Sequence, residues 1–242
     1  MAHGSLTARV RLCDEPVVEA RDLSCRERGH APLAAGPGSP GQQELRLLSD
    51  VPPASASGWR GLLGPVECVE IEVGCGRGVF LVEQARRRPY CGFLGLELSG
   101  KWARMAADGL DRAGIANAAV VHCDAVSFLR AHVADESIQG VHVYFPDPWP
   151  RARHEKRRIW RDDFVTEVLR VVAPGARIVA ATDIRGYFLS IQRLLSEQPL
   201  LRQQTLPDAW PVTAYARKFL ERGRPVFSTM FVRVPDAPGT GG

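Results

Sequence analysis

From residue 67 onward, the apolar positions of this chain follow two alternating patterns. Short apolar runs rich in Val, such as Cys68–Val73 and residues 138–145, indicate buried strands. Between them, apolar residues recur at intervals of three and four, as in residues 79–88, which indicates helices. Because strands joined by helices require right-handed crossovers, the pattern predicts an α/β fold with a mainly parallel sheet.

Five strand–helix units and two final strands follow from these patterns. The strands are predicted at residues 68–73, 92–98, 118–123, 138–145 and 177–182, and the helices at residues 79–88, 100–113, 125–133, 161–172 and 186–197. The fourth helix is expected to stop at Pro174-Gly175, since proline cannot continue it. Residues 201–206 and 226–234, separated by a loop, are expected to pair antiparallel at one edge of the sheet.

The two ends of the chain differ from this ordered middle. Residues 1–58 contain Gly-, Pro- and Ser-rich stretches and few periodic apolar residues, so burial cannot offset the entropy of ordering them. We expect this extension to be largely disordered, with short strands near residues 8–12 and 16–20 at most. Residues 236–242 have a similar composition, which leaves one folded domain over residues 59–235.

Composition narrows the class of protein. The 242 residues are 45% hydrophobic and 24% charged, as in globular proteins, and the net charge of +4 permits an anionic partner without requiring one. No apolar run approaches the ~20 residues of a membrane span, and no secretory signal is visible. Six cysteines without a C-x-x-C pair are typical of free thiols, so we expect a cytoplasmic protein that holds no metal.

A glycine-rich turn follows the first predicted strand. Glu72 ends that strand, and Gly74 and Gly76 allow backbone conformations and close ligand approach that side chains would prevent. Glu97 ends the second strand, where an acid can accept hydrogen bonds from ribose hydroxyls. Asp124 ends the third strand and could accept from an adenine amino group, or simply cap the next helix. These residues predict a nucleoside site.

The acids at this site favour one cofactor over another. Carboxylates repel the diphosphate of a nicotinamide dinucleotide but tolerate the cationic sulfonium and ammonium groups of S-adenosylmethionine. A reductase is also disfavoured because the sequence offers no recognisable Tyr/Lys or His/Asp catalytic set. The pattern therefore favours S-adenosylmethionine as the cofactor.

An acid held between two prolines follows the fourth strand. Pro146 and Pro148 end the strand and stiffen the turn that presents Asp147 at the carboxyl edge of the sheet, where α/β proteins bind ligands. Trp149, which comes next, could stack on a base or serve as a lid. A solvated turn is the structural alternative. Cationic residues that could hold phosphates follow: Arg151, Arg153, His154, Lys156, Arg157, Arg158 and Arg161.

With these motifs the chain resembles the bacterial tRNA (guanine-N7-)-methyltransferase family over residues 68–234. The resemblance is carried by residues 145–150 running into residues 153–158, by Ala181-Thr182-Asp183, and by Thr213-Ala214-Tyr215 followed by Lys218-Phe219 and Arg222-Gly223. It implies a Rossmann-like class I methyltransferase fold with an antiparallel edge strand. It also implies methyl transfer from S-adenosylmethionine to N7 of a guanosine in the variable loop of tRNA.

The resemblance also assigns residues. It implies donor binding by Glu72, Glu97, Asp124 and Asp147, with Gly74 and Gly76 in the donor turn, catalysis by Asp147, and tRNA contact by Arg151, Asp183, Thr213 and Tyr215. Three departures stand out: Arg151 replaces the family's usual lysine, Ala216 replaces its usual glutamate, and residues 1–58 replace its basic arm.

Other functions remain open at this stage. The turn after Asp147 is similar to the D-P-P-Y loop of amino-group methyltransferases, so another RNA nitrogen is a candidate target. A class I methyltransferase for a small molecule or a protein is a further alternative, and the basic segment is the discriminating feature, because a neutral small substrate has no use for it. A non-catalytic RNA-binding module would not need the donor acids. We expect tRNA as the partner, no membrane association, and either a monomer or a homodimer.

Overall fold

A single mixed sheet organises the molecule. The computed structural model describes residues 47–48, 58–149, 152–207 and 214–235. The strands are β1 (Leu47–Leu48), β2 (Cys68–Val73), β3 (Cys91–Glu97), β4 (Ala118–His122), β5 (Ile138–Tyr144), β6 (Val172–Thr182), β7 (Leu201–Gln204) and β8 (Phe227–Arg233). The helices are α1 (Val79–Arg87), α2 (Gly100–Arg112), α3 (Ala125–His132), α4 (Asp162–Val171), α5 (Arg185–Ser196) and α6 (Ala214–Glu221).

The strand order determines where along the sheet a ligand site is expected. The sheet runs β1-β4-β3-β2-β5-β6-β8-β7. Strands β1 to β6 pair in parallel, whereas β8 pairs antiparallel with both β6 and β7. The predicted parallel α/β fold with an antiparallel edge is therefore confirmed. Because the chain leaves β2 toward β3 and later returns to place β5 on the other side of β2, the crevice beyond β2 and β5 is the sheet's switch point, where such folds bind ligands.

Two apolar cores cover the two faces of the sheet. Leu81 from α1 and Ala106 and Leu110 from α2 pack on one face against Phe93. Helices α3, α4 and α5 pack on the other face in a larger cluster, to which α4 contributes the fully buried Phe164. As the spacing predicts for helices with one apolar stripe, each helix turns its buried positions to the sheet.

The elements differ from the sequence-based predictions in three places. Strand β6 begins at Val172, before Pro174-Gly175, because Gly175 adopts a φ of 83° and the strand continues through an irregularity in its pairing with β5. Helix α6 occupies residues that were predicted to be a loop. Leu47–Leu48, within the extension predicted to be largely disordered, pairs with β4. The short strands predicted near residues 8–12 and 16–20 lie outside the described residues.

Two absences apply to the part of the chain that the structure describes. None of its helices is long and apolar enough to cross a membrane. Those residues also contain no cluster of His, Cys, Asp and Glu that could hold a metal ion. The cysteines within it are free thiols: Cys68, Cys75, Cys91 and Cys123.

Candidate active site

The glycine-rich turn after β2 is clamped by the acid that ends β3. The backbone N–H of Gly76 donates to Glu97 Oε2 at 2.9 Å, and the N–H of Ser99 donates to Glu97 Oε1 at 2.9 Å. The N–H of Gly74 also donates to the carbonyl of Leu96 at 2.7 Å. Glu97 therefore ties the turn to the start of α2 and fixes the backbone at the switch point.

The turn faces open space. Gly74 and Gly76 have φ values of 73° and 54°, which side chains other than glycine rarely adopt. A Cβ atom built on either glycine would meet no atom within 4 Å. A ligand can therefore approach this backbone directly, as the sequence predicts for a nucleoside site.

Glu72 lies beneath the turn as a buried acid with an unused oxygen. It is 5% exposed, and its Oε2 has no hydrogen-bond partner within the described part of the chain. Burial raises the pKa of Glu72 well above its usual 4.5, and the neighbouring charge of Glu97 raises it further. An unpaired carboxyl group in a buried site is costly, so the site suits a ligand that brings a cationic donor such as an ammonium group.

Asp124 performs the capping role that the sequence left open. Its Oδ1 accepts a hydrogen bond from the N–H of Ser127 at 2.9 Å, and the residue is the N-cap of α3. The side chain is nevertheless exposed at the carboxyl end of β4, two strands from β2. Its second oxygen therefore remains accessible from the solvent side of the crevice.

The proline-bracketed acid sits in a strained and well-anchored loop. Strand β5 ends at Tyr144, and the two aromatic residues that flank the Pro-Asp-Pro sequence have positive φ values, 50° at Phe145 and 38° at Trp149. Such conformations cost about 1–3 kcal/mol each and persist only where surrounding contacts enforce them. The N–H of Phe145 donates to the carbonyl of Ala181 at 2.7 Å. This loop exposes Asp147 next to the turn that follows β2.

Arg158 anchors the far side of this loop. Its Nε donates to the carbonyl of Pro148 at 2.8 Å, and its Nη2 donates to the carbonyl of Trp149 at 3.2 Å. The same guanidinium lies over the ring of Tyr187, 5.2 Å from its centre. Burial raises the pKa of Tyr187 to about 12, and the charge of Asp147 adds to this rise while that of Arg158 opposes it. Arg158 was predicted to hold phosphates, but its contacts serve the loop.

The basic segment forms a short 3-10 helix over Ala152–Arg157. Arg153, Lys156 and Arg157 are exposed there, and Arg157 lies over the ring of Trp149 at 4.8 Å. The ring of His154 meets the same indole edge-on at 5.6 Å. Three cations therefore surround the mouth of the crevice in a form that can meet phosphates.

Arg161, which was predicted among the cations at the mouth, instead lies at the N-cap of the helix that follows it. Arg161 pairs with Asp163 at 2.8 Å at the start of α4. Trp160, just before that helix, is buried against Phe164.

The predicted tRNA contacts are only partly within the described structure. Arg151 and Thr213 lie outside the described residues, and so does the side chain of Tyr215. Asp183, at the end of β6, forms an ion pair with Arg224. That guanidinium also lies over the ring of Phe219 at 4.3 Å.

Helix α6 packs against the site, a contact that no sequence motif predicted. The ring of Phe219 packs on that of Phe145 at 5.4 Å, directly beside the loop of Asp147, and Ala216 is buried. The spacing of Ala216, Phe219 and Leu220 is typical of a helix and could have revealed it. No local pattern could have shown that Arg224 pairs with Asp183, 41 residues away.

Solved structures share this architecture. The crystal structure of the aminoglycoside resistance methyltransferase NpmB1 matches 74% of this chain and 94% of its own, with a TM-score of 0.53 and 16% identity. That of the 16S rRNA methyltransferase KamB matches 75% and 94%, with a TM-score of 0.52 and 14% identity. The predicted class I methyltransferase fold is thereby confirmed.

Sequence comparison identifies the family. A family model described as "Putative methyltransferase" matches residues 67–229. The tRNA (guanine-N(7)-)-methyltransferase of Bordetella parapertussis is 36% identical over 168 residues, which is 67% of this chain and 66% of the relative. That of Burkholderia vietnamiensis is 33% identical over 178 residues, 72% of this chain and 70% of the relative. The chain thus spans about two thirds of the length of these relatives, and it belongs to the tRNA (guanine-N(7)-)-methyltransferase family.

Proposed function

We propose that this protein transfers a methyl group from S-adenosylmethionine to N7 of a guanosine in the variable loop of tRNA. The family relationship supports the activity and the substrate. The observation that carries the proposal is the unpaired oxygen of buried Glu72 beneath the open glycine turn, because such a site calls for a cationic ligand. The folded domain responsible is the one over residues 59–235.

Six residues would hold the donor, and Asp147 is one of them. Glu72 accepts from its ammonium group, Gly74 and Gly76 let it approach the turn, Glu97 faces its ribose, and the second oxygen of Asp124 faces its adenine. When bound, S-adenosylmethionine supplies an electrophilic methyl group. The carboxylates suit its positive charge and would repel the diphosphate of a dinucleotide. Binding a cation would also lower the raised pKa of Glu72 and so release its proton.

Asp147 orients the base and stabilises charge. Guanine N7 carries a lone pair and no proton, so its methylation needs no general base. A carboxylate held by the rigid Pro146–Pro148 loop accepts from the guanine edge and offsets the positive charge that develops on the purine. The strain at Phe145 and Trp149 supports this role, since strained loops are common where a side chain must be held in place.

The substrate is held from two sides. Arg153, Lys156 and Arg157, with Arg151, would contact phosphates at the mouth. Asp183, with its partner Arg224, would contact the tRNA together with Thr213 and Tyr215 on the α6 side. A tRNA substrate and free thiols fit a reducing compartment, so we place the protein in the cytoplasm, as a monomer or a homodimer.

Asp147→Asn tests the proposal. We expect wild-type protein to form 7-methylguanosine in tRNA and the variant to methylate about 100-fold more slowly in single turnovers, because the base loses its orientation and its counter-charge. Nucleoside mass spectrometry would identify the product, and calorimetry should show a much smaller change in donor affinity.

A matched control is Asp135→Asn. Asp135 is also an exposed acid, but it lies before β5 at the opposite edge of the sheet and pairs with Arg170. This variant should retain the wild-type rate. Normal turnover by Asp147→Asn would remove its assigned role. A methyl group on an exocyclic nitrogen would replace the proposed reaction by amino-group methylation.

A further inference from the structure

A basic groove on the surface begins at the glycine-rich turn and leads away from the crevice. It has a volume of about 870 Å³ and is bounded by α1, α2 and the start of α6. Arg77, in the glycine-rich turn, lies at one end. From there the groove follows α1, whose 9 residues span about 13 Å, toward the opposite edge of the sheet. Its exposed cations are Arg77, Arg86, Arg87, Arg112 and Arg217.

The charge in this groove is mostly uncompensated. Five arginines line it against two acids, Glu83 and Asp108. Glu83 is shared, since it lies 3.4 Å from Arg87 and 3.7 Å from Arg217. The groove therefore retains a net positive charge along its length.

Helix dipoles explain only part of this arrangement. Arg86, Arg87 and Arg112 lie in the last turns of α1 and α2, where cations are favourable in any protein. Arg77 precedes the N-terminus of α1, and Arg217 lies in the first turn of α6, where a cation is unfavourable. Their convergence on the same groove therefore requires another reason.

A glycine without a side chain lies at the base of the groove. Gly109 lies at the start of the last turn of α2 and lines the groove, and the nearest atom to a Cβ built there is the carbonyl oxygen of Arg77 at 3.7 Å. A glycine inside a helix costs about 0.5–1 kcal/mol relative to alanine. Space for an alanine exists, so packing does not demand the glycine. Its absence of a side chain instead leaves room for a ligand.

We propose that this groove binds the sugar-phosphate backbone of the tRNA outside the loop whose base is methylated. The inference rests on the proposed function. Because Arg77 lies in the donor turn and the other cations lead away from it, an RNA with one base in the crevice can continue along α1. Phosphate contacts of this kind position a nucleic acid without reading its sequence. The groove would then contribute to tRNA affinity and leave the chemical step unchanged.

The double variant Arg87→Gln/Arg112→Gln tests this directly. Neither residue belongs to the donor turn, since each lies in the last turn of its helix, and glutamine is a good helix former. We expect the KM for tRNA to rise about tenfold at low salt and the slope of log affinity against log salt to flatten by about 1.5, as for two lost phosphate contacts. The kcat at saturating tRNA should not change. An RNA hairpin limited to the variable loop should show no difference between wild type and variant.

The matched control is Arg193→Gln/Arg202→Gln. It removes the same charge from α5, on the opposite face of the sheet, and from the edge strand β7, and Arg193 is ion-paired within its helix as Arg87 is. This control should bind tRNA as the wild type does. Thermal unfolding by circular dichroism would show that both variants are folded.

The outcomes separate the two proposals. If wild-type protein methylates tRNA but the groove variant matches the control in KM and salt slope, the groove inference is overturned and the activity stands. A fall in kcat with unchanged KM would also overturn it, since it would place these arginines in the catalytic step. If wild-type protein does not methylate tRNA, the proposed function fails and the groove inference fails with it.

Discussion

Two glutamates on one strand show opposite ways of burying an acid. Glu70 and Glu72 lie two residues apart on β2, point to the same face of the sheet, and are 2% and 5% exposed. Arg88 donates to both oxygens of Glu70, at 2.7 and 2.8 Å. His142 contributes a third contact at 2.8 Å. Glu72 has no such partners in the described structure.

The pKa values of the two acids reflect this difference. Burial alone would raise the pKa of Glu70, but hydrogen bonds with His142 and Arg88 outweigh it and hold the pKa well below 4.5. The pKa of Glu72 is instead raised, because burial meets no compensation. The charge of Glu70 is thus fully paired within the fold, whereas Glu72 would gain a charged partner only when a ligand binds. The comparison indicates which buried acid serves stability and which serves binding.

Removing the partner of Glu70 should have the largest effect. Arg88→Met keeps most of the side-chain volume but leaves a buried carboxylate without its bidentate contact, which costs about 3–5 kcal/mol. We expect the free energy of unfolding, measured by urea denaturation, to fall by about that amount. His142 and Arg177 still contact Glu70, which favours the lower end of the range.

The neighbouring Arg87 provides the control. Arg87→Met removes an exposed arginine that pairs with Glu83 at 3.4 Å, and such surface pairs contribute about 1 kcal/mol or less. If the two variants lose the same stability, Glu70 does not depend on Arg88 and the contrast with Glu72 fails.

This contrast marks the limit of what the sequence could predict. The bounds of β2, α1 and β5 were predicted to within one residue, because alternation and glycine or proline punctuation are local signals. The partners of Glu70 are not local, since Arg88, His142 and Arg177 lie 18, 72 and 107 positions away. In the sequence, Glu70 and Glu72 look alike.

The candidate site likewise combines features that the sequence predicts with features that depend on distant contacts. Acids at strand ends could be assigned to the crevice from the predicted topology alone. The contacts that fix the loop of Asp147, from Arg158 and from Phe219 of α6, depend on packing between distant elements. Arg158 was assigned to phosphate binding, because charge and spacing do not show whether an arginine already has hydrogen-bond partners within the fold. The contact of Phe219 with the loop was not predicted.

Glu72→Gln should produce a smaller effect, on binding instead of stability. The neutral amide cannot offer a charge-assisted acceptor to the donor's ammonium group, which should lower S-adenosylmethionine affinity by about 1.5–3 kcal/mol, or roughly 10- to 100-fold. Isothermal titration calorimetry would measure this change. Glu67→Gln, at an exposed acid before the same strand, should bind the donor normally. Unchanged affinity in Glu72→Gln would contradict the assignment.

The pH dependence of stability gives an independent check on the same pair. Glu70 contributes stability that is fully present above pH 4.5 and is lost as the pH falls through its lowered pKa. Glu72 acts in the opposite direction. Between pH 4.5 and the raised pKa of Glu72, this carboxyl group is deprotonated in the unfolded chain but still protonated in the folded protein. Stability therefore falls as the pH rises through this interval. Glu70→Gln should flatten the acid limb of the stability profile and Glu72→Gln the limb above pH 4.5, whereas slopes of the same sign would refute the comparison.

The smallest expected effect concerns Asp124, whose carboxylate is both a helix cap and a proposed contact of the donor. Asp124 uses one oxygen to cap α3 through Ser127. Asparagine caps helices as well as aspartate does, so Asp124→Asn should preserve stability, whereas Asp124→Ala should lose about 1 kcal/mol. In Asp124→Asn, however, an amino group replaces the second oxygen and would face the amino group of the donor's adenine. At an exposed position this loss should weaken donor binding by about 1 kcal/mol, or roughly fivefold. If calorimetry finds full affinity in a stable Asp124→Asn protein, Asp124 is only a helix cap, and Glu72, Glu97 and Asp147 are the acids left to bind the donor.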